Sequence, residues 1–127
     1  MDRKTKFYML TLVALTLHQI DAAYWQEWNM FRLPGGIQGF LLFNLLAFPP
    51  LFVGLYQLGR VSAAVKSISS RTYGLVCGGL GVITGIIHGI FAMFGYLDFS
   101  LPFSIFTIVC CFVFGTLTCM QFYYDKD

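Results

Sequence analysis

Stretches free of Asp, Glu, Lys and Arg organise the chain: residues 7–20, 33–59, 72–97 and 99–124. Apolar residues fall on every face of these stretches, without the period-two alternation of a membrane barrel strand. A membrane-crossing helix needs about 20 mostly apolar residues, so each of the three longer runs fits one helix and its turns. The pattern predicts TM1 at about 7–28, TM2 at about 37–58, TM3 at about 73–95 and TM4 at about 100–123. Punctuation agrees. Leu33-Pro34-Gly35-Gly36 is a turn before TM2, and Ser67-Ile68-Ser69-Ser70-Arg71 is a polar linker. Leu97-Asp98-Phe99-Ser100-Leu101-Pro102 is a tight turn, with Pro102 in the first turn of TM4. TM1 is the least hydrophobic span. Arg3, Lys4 and Lys6 ahead of it resemble a signal peptide, but cleavage after Ala23 would put Asp21 where a small residue is wanted. TM1 is therefore expected as a retained helix.

Composition supports the pattern. Of 127 residues, 57% are hydrophobic and 11% charged, against about 25% charged in a typical soluble domain. So few charges hardly cover a small globule, and so many aromatics argue against disorder. The expected class is an all-α transmembrane four-helix bundle, one membrane domain over residues 1–127. Basic residues orient it. Arg3, Lys4, Lys6, Arg60, Lys66, Arg71 and Lys126 share one side of an even number of spans, and only Arg32 falls on the other. The positive-inside rule puts both termini in the cytoplasm of a multi-pass inner-membrane protein, with Glu27, Arg32 and Asp98 facing outward. Tyr24, Trp25, Trp28 and Phe31 are expected at the outer interface, and Phe122, Tyr123 and Tyr124 at the inner one. A net charge of +2 without a basic stripe gives no reason to expect nucleic acid. The lipid bilayer is the expected surrounding, and a homo-oligomer or larger membrane complex fits the short loops.

Polar residues within the spans are the candidate chemistry, because an ionisable group in hydrocarbon costs about 2.5–3.5 kcal/mol at a helix centre. His18 and Asp21 are i and i+3 in TM1, and Trp25 continues their face. Glu27 lies nine residues beyond His18, about 180° round an unbroken helix, and is expected at the interface. Asn44 in TM2, His88 in TM3, and Ser104 and Thr107 in TM4 reach a matching depth. The expected site is a small polar cavity lined by His18, Asp21, Asn44 and His88, with Trp25 beside it. Its metal ligands would be His18, Asp21 and His88. Asn44, Ser104 and Thr107 read better as interhelical packing groups. Gly81, Gly85 and Gly89, spaced four apart, form a small-residue row for close helix packing, extended by Gly74 and Gly78. Pro49-Pro50 removes two N–H donors and is expected to kink TM2. Cys77, Cys110, Cys111 and Cys119 lie in apolar stretches without Cys-x-x-Cys spacing and read as packing residues. A pair such as Cys77 with Cys119 is the sharper alternative.

The segment His18-Gln19-Ile20-Asp21-Ala22-Ala23-Tyr24-Trp25-Gln26-Glu27-Trp28, followed by Leu33-Pro34-Gly35-Gly36-Ile37-Gln38, resembles an uncharacterised family of small bacterial integral membrane proteins. That resemblance implies a four-helix membrane protein of unknown function. A more distant likeness is to the HXXEE group, whose motif is His-x-x-Glu-Glu; Asp21-Ala22 stands where that motif has its two acids.

Three functions remain. The first is binding or transfer: His18, Asp21 and His88 hold a divalent metal or small ligand, or relay a proton. The second is a membrane enzyme, with His18 and His88 as axial haem ligands or His18 and Asp21 as acid and base on a lipid-soluble substrate. The third is an accessory or scaffold subunit. No residue is assignable as catalytic, and the binding or transfer reading is preferred.

Overall fold

Asp2 starts the first helix: its Oδ1 accepts the Thr5 N–H at 2.7 Å, satisfying one of the donors that a helix N-terminus leaves free. In the computed structural model, which describes residues 1–60, 68–96 and 98–124, α1 runs Arg3–Tyr24 and a four-residue α2 covers Glu27–Met30. Three long helices follow: α3 (Gly36–Arg60), α4 (Ile68–Met93) and α5 (Pro102–Tyr124). Lys66, Ser67, Leu97 and Lys126, given roles above as charge markers or loop residues, lie outside the described residues. Among the described residues there are helices and turns and no strand.

Two boundaries differ from the pattern's prediction. TM1 was expected to continue to residue 28, but the chain turns at Gln26, which takes the left-handed conformation at φ 54°, ψ 51°. The segment Trp25-Gln26-Glu27-Trp28-Asn29 is polar, but it carries no glycine or proline to mark a break. The expected linker after Ser67 is instead helical from Ile68. The next turn is glycine-built as anticipated: Gly35 and Gly36 sit at φ 90° and 54°, where L side chains are strained.

The helices α3, Ser70–Met93 of α4, and α5 are each long and apolar enough to cross a membrane. Helix α1 falls outside that group, since it carries Arg3, Lys4, Lys6, His18, Gln19 and Asp21. It nonetheless forms the centre of the packing. Its residues Thr5, Tyr8, Thr11, Leu12, Ala14, Leu15, His18 and Ala22 are buried, whereas α3 buries Phe40, Leu51 and Gly54.

The α4–α5 contact is made by small residues. A Cβ at Gly78 would meet the Gly115 carbonyl at 2.8 Å, and one at Gly81 would meet the Cys111 carbonyl at 2.6 Å. One at Gly85 would strike Phe112, and one at Gly74 the ring of Phe122. Partner numbers fall as α4 numbers rise, so the two helices are antiparallel. The packing row is thus Gly74, Gly78, Gly81 and Gly85 with Gly115, and Gly89 is not part of it: a Cβ there meets nothing within 4 Å. Phe122, expected at the interface, is buried because Gly74 leaves room for its ring.

Helix α1 lies against this pair. The Thr11 and Thr118 hydroxyls share a hydrogen bond of 2.8 Å, and Thr11 Cγ2 lies 3.1 Å from where a Gly81 Cβ would be. Tyr8 ties α1 to α3, its hydroxyl donating to the Leu51 carbonyl at 2.8 Å. Gly54 permits that approach, as a Cβ there would collide with Tyr8 and Tyr73. Helix α3 continues through Pro49 and Pro50. The cysteines are free, and Cys77 and Cys111 belong to the apolar core with Leu12, Leu15 and Leu51.

Substitution of the two kinds of glycine should separate sharply. Gly115→Ala is expected to cost about 1–3 kcal/mol by overpacking. Gly89→Ala is expected to be neutral or stabilising by up to about 1 kcal/mol through helix propensity. Thermal unfolding of the purified protein in detergent measures both, and equal effects would contradict the packing described.

Candidate metal centre

Register places the histidines. Helices α1 and α4 run parallel, and Thr11 faces Gly81. Seven residues further along each, two helical turns, His18 faces His88. Their rings meet edge to face, with centroids 4.6 Å apart and planes at 87°. Both are buried, at 1% and 7% exposure.

The turn at Gln26 supplies the third member. It ends α1 and brings Glu27, the next residue, to the two rings. Glu27 was expected at the interface on the premise of an unbroken helix. Instead it is buried, at 8% exposure. Its Oε1 lies 3.5 Å from His88 Nε2 and 4.0 Å from His18 Nε2. One ligand atom from each of His18, Glu27 and His88 lies within 4.8 Å of the other two. Burial, and then the nearby charge of Asp21, push the Glu27 carboxyl up from the usual carboxylate range to about 7.

Backbone fixes the chemistry of His88. Its Nδ1 lies 2.9 Å from the Thr84 carbonyl. A carbonyl only accepts, so the proton resides on Nδ1 and the Nε2 lone pair faces Glu27. His88 Nε2 and His18 Nδ1 have no hydrogen-bond partner. A lone pair facing an ionised carboxylate is a pairing of two acceptors, and it requires a proton or a cation between them. Orientation of a ligating histidine by a carbonyl on its other nitrogen is the usual second layer of a metal site.

Aromatic rings close the site. Phe99, between α4 and α5, sits at φ 64°, a strained backbone for a bulky residue. That conformation turns its ring inward, 4.7 Å from His88 and 5.6 Å from His18 between centroids. Phe31 approaches His88 at 6.4 Å. Trp28 packs on Phe40. Of the aromatic group expected at the outer interface, Trp28 and Phe31 line the cavity beside the polar centre, whereas Tyr24 is exposed.

Asp21 lies beside the three-residue group. Its Oδ1 accepts from the Ser104 hydroxyl at 3.0 Å, and Ser104 Oγ also receives the Trp25 indole N–H at 3.4 Å. Asp21 Oδ2 has no hydrogen-bond partner. Asn44 donates to the Phe40 carbonyl at 2.8 Å, within its own helix. Thr107 donates to the Ser104 carbonyl. The contact between the imidazoles also bears on haem. Two axial histidines stand on opposite faces of a macrocycle, and rings in edge contact leave no room for one.

Two cavities adjoin the centre. The smaller, about 190 Å³, is lined by His18, Glu27 and His88 together with Gln19 and the walls of α3 and α4. The larger, about 580 Å³, lies between the ends of α4 and α5. His88 lines both.

A family model described as a family of unknown function (DUF6713) matches residues 4–125. No curated protein and no solved structure matches the chain.

The Gln26 turn is directly testable. Gln26→Gly should be stabilising by about 1 kcal/mol through relief of the left-handed strain, with the site retained. Gln26→Val, β-branched at the same position, should cost about 1–2 kcal/mol and displace Glu27. Thermal unfolding and cobalt binding read the two effects. Retention of cobalt binding by Gln26→Val at wild-type strength would show that the turn does not position Glu27.

Proposed function

We propose, for a chain that belongs to the DUF6713 family of unknown function, that it is a membrane-embedded metal-binding protein. Its ligands are His18, Glu27 and His88. The observation that carries this reading is the meeting of two imidazoles and a carboxylate from three separate elements within 4.8 Å, with His88 held by Thr84 so that its free nitrogen faces the carboxylate. Two imidazole nitrogens and a carboxylate oxygen suit Zn²⁺ and its borderline neighbours. Small inward movements would bring them to the about 2.0–2.2 Å that zinc takes from nitrogen and oxygen. Three protein ligands leave a fourth position open, the pattern of sites that bind or transform a further molecule. Asp21, anchored on the Ser104 hydroxyl, adds negative charge beside the cation without being a ligand.

The same reading makes α1 a fourth span, giving a single four-helix membrane domain. At 1.5 Å per residue, its 22 residues reach about 33 Å, enough for a hydrocarbon layer about 30 Å thick. Its buried polar side chains, Thr5, Thr11 and His18, face the other helices. The basic residues then place both termini in the cytoplasm and the metal centre near the opposite surface of a multi-pass inner-membrane protein.

Metal analysis of the detergent-purified protein tests the centre. About one zinc-class ion per chain is expected, and cobalt should give the visible absorption of a tetrahedral site. Glu27→Gln, His18→Ala and His88→Ala should each weaken cobalt binding by at least about 100-fold. Asp21→Asn should retain it. The same negligible metal content in wild type and variants would end this reading. Reporter fusions test the topology: a fluorescent protein should be active, and alkaline phosphatase inactive, at both termini. Different patterns at the two ends would remove the four-span arrangement, and the reverse pattern at both ends would remove its orientation.

A further inference from the structure

The smaller cavity is the one that all three residues of the centre share. His18, Glu27 and His88 line it, and most of the remaining wall is apolar, with Phe31, Phe40 and Ile87 part of it. An open coordination position among those three residues therefore borders this space. Its volume of about 190 Å³ lies below the about 300–1,000 Å³ of drug-sized sites and slightly above the about 150 Å³ that holds a benzene ring. Gln19 also belongs to the lining. Its Oε1 is buried without a hydrogen-bond partner, and a carbonyl oxygen withdrawn from water calls for a donor.

We infer that this cavity binds a small neutral alcohol, whose oxygen takes the open position on the metal and whose O–H donates to Gln19 Oε1. This inference rests on the metal-centre reading. Charge excludes the ionic occupants. A divalent cation brings two positive charges, Glu27 and the neighbouring Asp21 bring two negative ones, and metal-binding imidazoles are neutral. The centre is thus balanced before a fourth ligand arrives. A further ion would enter a low-dielectric space without a counter-charge, which is strongly unfavourable. Asp98 lines the larger cavity and not this one, so it does not alter the count. Size excludes a lipid, whose acyl chains exceed the volume. Among neutral oxygen compounds, an aldehyde, ketone or ether offers a lone pair to the metal but no donor to Gln19. A hydroxyl offers both. Water is the smallest hydroxyl compound, and the apolar wall favours one that carries a hydrocarbon group.

The full chain in lipid nanodiscs, loaded with cobalt, is titrated with benzyl alcohol, benzaldehyde or benzoate while the cobalt absorption is followed. Benzyl alcohol should shift the wild-type spectrum. Gln19→Met keeps the length of the side chain without its carbonyl, and should need about tenfold more benzyl alcohol. Benzaldehyde has the same ring and a lone pair but no O–H, so its titration should be the same in wild type and Gln19→Met. Asp21→Asn leaves the centre with one positive charge in excess. It should raise the affinity for benzoate relative to benzyl alcohol by at least about tenfold. Gly89 lines only the larger cavity, so Gly89→Leu should leave the benzyl alcohol titration unchanged. Every comparison is between proteins in the same membrane, so partitioning of the ligand cancels. Equal benzyl alcohol affinity in wild type and Gln19→Met, or a loss caused by Gly89→Leu, would overturn the inference. A benzoate preference unmoved by Asp21→Asn would overturn its selection of a neutral ligand. Cobalt bound normally by wild type, with no response to benzyl alcohol, would overturn this inference alone. Failure of wild type to bind cobalt would overturn the metal reading and this inference together.

Discussion

Close approach of α4 and α5 backbones around Gly78, Gly81 and Gly115 is the contact on which the rest of the structure depends. In a lipid surrounding there is little hydrophobic drive between apolar helices, so association relies on van der Waals packing and on polar contacts. Gly115 lies between the Gly78 carbonyl and the Val82 amide nitrogen, leaving no space for a side chain. Thr11 enters the same knot from α1 and is fixed by Thr118. Once Thr11 and Gly81 are opposed, the parallel course of α1 and α4 leaves no choice two turns later. His18 and His88 must then face each other. The packing row thus sets the register of the polar centre some 10 Å away, at about 1.5 Å of rise per residue.

The row's end matters as much as its presence. Gly85 closes on Phe112, whereas Gly89 faces open space. A uniform row would have drawn the helices together over their full length and buried His88 without access. His88 therefore lines the groove between the ends of α4 and α5, a wall it shares with Phe99 and with Met30 of α2.

Much of this was legible in the sequence. Charge-free runs located α3, α4 and α5 to within a few residues, because a helix in an apolar medium keeps its backbone bonds internal and shows its length as hydropathy. The histidines were legible for a related reason, since an ionisable residue stands out against an apolar background. Glu27 was not. Its place depends on one left-handed residue, Gln26, and glutamine carries none of the glycine or asparagine signature that marks such a turn. A helical wheel extended through Gln26 puts Glu27 on the wrong side, and the wheel is correct until the helix stops. Phe99 escaped notice in the same way, since its inward turn requires a positive φ that its residue type disfavours. The row Gly81, Gly85 and Gly89 was half legible. Spacing identifies which residues are small, but the partner helix decides which are used.

Both surprises, Gln26 and Phe99, are non-glycine residues held in left-handed backbone next to the histidines. Such conformations cost of order 1–3 kcal/mol each and persist when the surroundings determine them. One brings a carboxylate to the imidazoles, and the other brings a ring against them. Both strained residues therefore act at the same pair of imidazoles. Packing alone would not demand this, because an apolar residue at position 27 would fill the same space without burying a charge. A buried carboxylate facing an unprotonated nitrogen is destabilising unless something positive lies between them. The proposed metal ion meets that requirement in one way, and a proton on Glu27, whose carboxyl is pushed up to about 7, meets it in another.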